Sequence, residues 1–308
     1  MKHLYFLLTL LLIFSGCASL SKTQVDSVKK FADATIDYSA YPKTLITDYL
    51  DLQNELFLLK SPLITNPEKA VSSIYENRQS LLEIKKAAEQ LNLSYKILKC
   101  YAENLEMLAT TDYNRNIRLS ANDLRLNLDT LIDKYNTTYN KNLPKLSNLV
   151  FKAFLYLGEK YVENKRAKAI KDYMGKGNEI VCEMSSVTKN FVENKVKDSW
   201  MFDMEEQVKS NHRALRKQII KDTLNYSVNI ATLRNLDKEI ISYYNEIDYL
   251  NALTDMLAQS TDKLCKAHKS LSNSIKEKKK LVDILPEIKD FYYSVEDLKD
   301  IHRSYKSN

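Results

Sequence analysis

The sequence predicts an all-α fold, an elongated antiparallel bundle of long, heptad-patterned helices. Three observations carry that expectation. Apolar residues recur at alternating intervals of three and four through long segments, the spacing that places them on one stripe of a helix. The chain of 308 residues holds only four glycines and five prolines, where ordinary usage would give roughly 20 glycines. No stretch of any length alternates apolar and polar residues with the period of two that a half-buried strand requires. A chain so poor in glycine makes few tight turns, so its elements must be few and long.

The first stripe runs through Val28, Phe31, Thr35 and Tyr38, then Leu45, Tyr49, Leu52, Leu56 and Leu59. Its phase holds across Pro42, which predicts a kinked helix or two collinear ones. The segment "KSPLITNP" breaks the pattern. Asn66-Pro67-Glu68 then reads as an N-cap, an N1 proline and an early acid. A second stripe follows: Ile74, Leu81, Ile84, Ala88, Leu91, Tyr95, Leu98, Ala102, Leu105 and Ala109, interrupted by Asn77. As one helix of roughly 40 residues it would span about 60 Å. A turn around "TTDYNRN" leads to a third stripe at Ile117, Ala121, Leu124, Leu128, Leu131 and Tyr135, with Pro144 as the next boundary.

Beyond Pro144 lies "LVFKAFLYL", Leu149 to Leu157, apolar all round except at Lys152. It is too short to span a bilayer, and a helix at the centre of the bundle is expected. Gly175 and Gly177 in "MGKGNE" mark the expected bend or hairpin tip. The last stripe runs from Leu233 through Leu236, Ile240, Tyr243, Ile247, Leu250, Thr254, Leu257, Thr261, Leu264, His268, Leu271 and Ile275 to Leu285. Pro286 is expected to end it. "SVED", with Ser294 and Asp297 in capping-box-like spacing, would start a short terminal helix. The domain plan is therefore a leader over 1–16, a tether over 17–23, a helical bundle over 24–285 with a possible bend near 175–177, and a short helix and tail over 286–308.

The N-terminus carries a different kind of information. Met1, Lys2 and His3 form a charged start, and Leu4 to Phe14 is apolar except for Thr9, the length of a secretory signal core. Phe14-Ser15-Gly16-Cys17 resembles the lipobox of bacterial lipoproteins, with Phe14 standing where leucine is usual. The resemblance covers residues 1–17 only. It implies cleavage before Cys17 and acylation of its thiol, which anchors the chain because each buried methylene adds about 0.8 kcal/mol. Ala18 follows in place of an acidic residue, so the resemblance implies the outer membrane, facing the periplasm, if the host is Gram-negative.

The net charge is +6, with lysines and acids interleaved as on solvated helix faces. The one run, Lys276 to Lys280, reads as an exposed helix face or as a contact for anionic headgroups. Nucleic acid is not an expected partner. Besides Cys17, the cysteines are Cys100, Cys182 and Cys265, which allow at most one internal disulfide and leave its pairing open.

Chemistry-bearing motifs are absent. His212, His268 and His302 are scattered, and there is no Glu-x-x-His, His-Glu-x-x-His, Cys-x-x-Cys, Gly-x-Ser-x-Gly or P-loop. No catalytic residue, metal ligand or cofactor is expected, and the protein is not expected to be an enzyme. His268, on the last stripe, reads as a core-edge histidine with its polar tip reaching water. Most tyrosines are expected to pack a ring and lead the hydroxyl outward. The functional expectation is a lipid-anchored envelope protein with a binding or scaffolding role. Its partners would be the membrane, through Cys17, and another envelope protein or the cell wall. One alternative resembles α-helical pore-forming toxins, with Leu149, Phe151, Phe154 and Leu157 in the membrane-active segment. Another is a small-ligand or lipid carrier.

Overall fold

A computed structural model of the chain describes residues 20–110, 115–150, 162–223, 230–277 and 285–307, without the side chains of 115–125, 162–164, 222–223 and 285. Helices dominate, and there is no strand among the described residues. In chain order the helices are α1 (Lys22–Tyr38), α2 (Tyr41–Lys60), α3 (Pro67–Ala87), α4 (Glu89–Ala109), α5 (Arg115–Tyr139), α6 (Val162–Phe191), α7 (Phe202–Thr223), α8 (Ile230–Glu277) and α9 (Leu285–Lys306). A wide π-helical stretch, Val192–Met201, joins α6 to α7. The chain divides into two compact units. One comprises residues up to Asp33, Cys100–Ile180 and Ala267–Ile288. The other comprises Ala34–Lys99, Val181–Lys266 and Lys289–Asn308.

In the second unit the pairings give each helix its direction. Residues 182, 189 and 197 meet 265, 262 and 255 in turn, through the disulfide Cys182–Cys265 and the ion pairs Lys189–Asp262 and Lys197–Asp255, both at 2.7 Å. The numbers fall on one side as they rise on the other, so this part of α6 and the π stretch runs antiparallel to α8. Tyr38–Thr261 and Asp48–Tyr249 set α1 and α2 antiparallel to α8 in the same way. Tyr49 stacks on Trp200 and Leu56 accepts from Asn211, so α2 runs parallel to the π stretch and α7. The core of this unit includes Tyr38, Leu45, Leu52, Leu56, Leu91, Leu98, Val192, Val208, Leu250, Leu257 and Leu264, each under 2 % exposed. A fully buried side chain of this size contributes about 1.5–3 kcal/mol through apolar burial.

In the first unit α4 meets α6, with Tyr101 against Tyr173 and Arg166 donating to the carbonyls of Leu108 and Ala109. Asn178 on α6 donates to Ser272 on α8 at 3.2 Å. The loop after α5 is tied by side chains. Asn136 exchanges two hydrogen bonds with the backbone of Leu143, and Asp129 accepts from the N–H groups of Leu146 and Ser147. Asn140 takes the left-handed backbone at φ 50° that ends α5, a conformation asparagine tolerates.

Several joints differ from the sequence expectation. Asn66 does cap α3, accepting from the Lys69 N–H at 3.0 Å with Pro67 at N1. The second stripe is not one helix, because α3 ends at Ala87 and α4 begins at Glu89, with Ala88 between them and no proline or glycine there. Ile74, expected on the core stripe, is 58 % exposed. No hairpin tip forms at Gly175 and Gly177, since α6 runs through both. Pro286 stands in the first turn of a helix, where its missing N–H costs nothing, and α9 is 22 residues long in all. The terminal helix is accordingly not short, and Ser294 is buried inside it, its hydroxyl donating to the Phe291 carbonyl. The turn at "TTDYNRN" lies largely outside the described residues.

Candidate functional site

A groove of about 990 Å³ opens on the second unit, where α2, the joint between α1 and α2, the α3–α4 junction and α9 converge. Its apolar walls include Ile36, Ala40, Ile46, Leu50 and the ring of Tyr95. Five lysines line it, Lys43, Lys85, Lys96, Lys99 and Lys299, against the two acids Asp37 and Asp48.

Local structure explains each position. Ser39 and Ala40 form the turn between α1 and α2, where Ser39 donates to the Ile36 carbonyl at 2.6 Å, and Pro42 then starts α2. That turn puts Lys43 on the first exposed turn of α2. Tyr95 faces the core from α4 and is 4 % exposed, so Lys96 and Lys99, one and four residues on, emerge beside it.

The acids are already engaged. Lys299 bonds Asp37 and Glu296, each at 2.7 Å. Burial works against its charge, but those two partners outweigh that and hold its pKa above the ordinary lysine value. Asp48, 9 % exposed, accepts from the Tyr249 hydroxyl at 2.8 Å and lies 3.5 Å from the Lys306 ammonium. His302 Nδ1–H completes that cluster by donating to the Tyr249 oxygen at 2.9 Å, the tautomer the network requires because Tyr249 already donates to Asp48. Tyr305 stacks flat on Tyr249 at 4.0 Å. Burial, and then the Asp48 carboxylate, push the Tyr249 hydroxyl pKa up, so it stays a donor. With Asp37 and Asp48 spoken for, the groove keeps a basic excess beside an apolar wall. Such a surface attracts a ligand that combines negative charge with apolar area.

A separate polar cluster sits in the first unit. His268 is 0 % exposed. Tyr101 O–H donates to its Nε2 at 2.6 Å, its Nδ1–H donates to Asn178 Oδ1 at 2.6 Å, and Asn178 in turn donates to Ser272. Phe31 presses an edge against the ring at 5.4 Å. Burial lowers the His268 pKa to about 3, so the imidazole is neutral, as both of its bonds require. The expectation of a polar tip reaching water is therefore overturned. The tyrosine expectation is overturned likewise at Tyr38, Tyr101 and Tyr173, which are fully buried. Their hydroxyls turn inward, to Thr261, His268 and the Tyr101 carbonyl respectively.

Of the residues singled out from sequence, Cys17 lies outside the described residues, as do Phe151, Phe154 and Leu157. Leu149 is half-buried and Val150 is buried. No described helix is long and apolar enough to cross a membrane. Among the described residues no group of three or more His, Cys, Asp or Glu side chains could hold a metal ion. Cys182 and Cys265 form the disulfide, and Cys100 stays outside it.

The groove lysines were not legible as a site. Each occupies a polar position of its own stripe, and only the folding of separate helices brings them together. Comparison with known proteins gives no relationship to add: no family model, curated protein or solved structure matches the chain significantly.

Proposed function

We propose that this chain is a lipid-anchored protein of the cell envelope whose helical bundle binds another envelope component without catalysing a reaction. The observation that carries the binding role is the groove, with Lys43 and Lys96 beside the apolar surface of Ile46, Leu50 and Tyr95. The ligand chemistry it suits is an acidic, amphipathic segment of a partner protein. Carboxylates would meet the lysines while apolar side chains cover the wall.

Two further features support the envelope assignment. Phe14-Ser15-Gly16-Cys17 resembles a lipobox at Ser15, Gly16 and Cys17. The disulfide Cys182–Cys265 suits an oxidising compartment, since such bonds are rare where thiols are kept reduced.

A second reading is an anionic amphiphile carrier. It is favoured by the groove volume, which falls within the roughly 300–1,000 Å³ of small-molecule sites. The pore-forming alternative rests on Leu149 to Leu157, most of which lies outside the described residues.

The test isolates the protein from gently solubilised envelopes, comparing wild type with a Lys43→Glu, Lys96→Glu variant of unchanged helicity. A discrete acidic protein that accompanies wild type and is lost from the variant is the expected result. Anionic lipid alone in that position would favour the carrier. A partner retained equally by the variant would remove the groove from the account. In the same cells, a labelled fatty acid is expected on wild type and not on Cys17→Ser; label on both would defeat the anchor.

A further inference from the structure

The helix α3 buries none of its residues, although it is 21 residues long and carries large apolar side chains. It touches α2 through a narrow seam that includes Ala70, Ser73, Asn77, Leu81 and Ile84, all partly covered. Asn77 donates to Asn54 of α2 across that seam at 3.1 Å. Beside the seam stands a second stripe that the described residues leave exposed: Val71 at 56 %, Ile74 at 58 %, Tyr75 at 63 % and, less so, Leu82 at 38 % exposure. At 100° per residue the four α3 positions fall within an arc of about 100°, with Arg78 and Lys85 inside the same arc. An exposed, largely apolar stripe of this kind is what a partner helix covers.

The stripe is complementary to itself. We infer that α3 pairs with α3 of a second copy of this chain, antiparallel, about a two-fold axis close to residues 76 and 77. In that register Val71 faces the second copy's Leu82 and Tyr75 faces its Arg78, where a guanidinium lies over a ring. The charges follow the same symmetry. Glu68 and Lys86 lie at the same angle on the helix, on one flank of the stripe, separated by five turns or about 27 Å. A two-fold axis normal to the plane of an antiparallel helix pair keeps each flank on its own side. Glu68 therefore meets Lys86 of the second copy, and this happens twice. Neither residue has an ion pair within its own chain among the described contacts, and both are exposed. A parallel two-fold pair would instead place the two copies of Glu68 on opposite flanks and about 27 Å along the axis from either Lys86, so neither charge would meet its opposite. One helix pair buries less area than a standard stable interface, so the association is weak and reversible.

The test uses disulfide trapping in the native envelope, in a Cys100→Ser background that also serves as the blank. Val71→Cys and Leu82→Cys are made as single variants with different tags and expressed together. A mixed Val71→Cys to Leu82→Cys crosslink is expected, and each variant expressed alone should give at least several-fold less. Equal self-crosslinking of Val71→Cys would overturn the antiparallel register, and no crosslink above the blank would overturn the pairing.

In solution, Ile74→Asp is expected to weaken self-association about tenfold or more, with unchanged helicity because the residue is exposed. Glu68→Lys should weaken it several-fold, and adding Lys86→Glu should restore it. Failure of that restoration would remove the charge pairing, and binding of the wild-type stripe to anionic vesicles without dimers would replace the second copy by a membrane. Loss of ligand binding in the groove variant leaves these readouts unaffected, so the two readings fail separately.

Discussion

Gly175 and Gly177 stand two residues apart in α6 for opposite reasons. A Cβ at Gly175 would meet open space, whereas at Gly177 it would overlap the ring and hydroxyl of Tyr101, which packs against the helix backbone there. Tyr101 has little room to retreat, because it stacks on Tyr173 at 4.9 Å and is bonded to His268. Gly175→Ala is therefore expected to stabilise the protein by about 0.5–1 kcal/mol through helix propensity. Gly177→Ala is expected to destabilise it by about 1–3 kcal/mol through overpacking. Urea unfolding of the two variants checks both signs. His268 makes a second prediction at this scale. Its pKa is about 3 in the folded chain and 6.5 ordinarily. Between those values the unfolded chain binds a proton that the folded one refuses, so stability falls as pH drops below 6.5 and is unaffected above it. The loss from this group is about 1.4 kcal/mol per pH unit. His268→Gln should lose less stability than wild type between pH 7 and pH 5, and equal losses would mean that the imidazole is not held neutral. The sequence put His268 on a helical stripe and marked Gly177 as a bend. It could not show the Tyr101 ring, which arrives from another helix and decides the role of each.

The stripes were legible at the scale of elements because burial follows their period closely. Val28, Phe31, Thr35, Tyr38, Leu45, Leu52 and Leu56 are all 0 % exposed, and the last stripe is buried without a break from Leu236 to Ile275. The threonines interrupting it satisfy themselves, Thr254 donating to the Leu250 carbonyl at 2.6 Å and Thr261 to Leu257 at 2.7 Å, so they cost the helix little. The joints were less legible. The break at Ala88 has no glycine or proline to announce it, and Pro286 is equally able to follow a helix or to open one. Ile74 misled because α3 bears two adjacent apolar stripes, and periodicity does not say which one a neighbour covers. Cys182 and Cys265 face one another because antiparallel register places them there, with Cα atoms 5.0 Å apart. Their 83-residue separation is the length of the loop they close. Closing a loop of that length stabilises by about 4.5 kcal/mol at most. A Cys182→Ser, Cys265→Ser variant should melt several degrees lower than wild type, and adding reductant should lower only the wild-type midpoint. Equal midpoints for variant and oxidised wild type would show that the cross-link does not form.

For the whole molecule, charge says more about partners than the fold does. The net charge of +6 is modest, yet the groove gathers lysines while its acids are tied up by Lys299, Tyr249 and Lys306. Local concentration of one sign, not the total, is what steers an oppositely charged partner. The proposed anchor at Cys17 would confine the chain to a membrane surface, where a partner in the same envelope meets it at high effective concentration. The proposed leader was legible as an expectation because its signal is local: a short apolar run and four consecutive residues. The groove was not, because its lysines come from separate helices. The central claim, that a tethered helical bundle binds through this groove, is tested most directly by a photoreactive residue placed at Lys96 in living cells, with Lys269 as an exposed control. The expected result is one discrete adduct from position 96, absent from position 269 and lost when Lys43 is changed to Glu. The same adduct from both positions, or none from either, would contradict it.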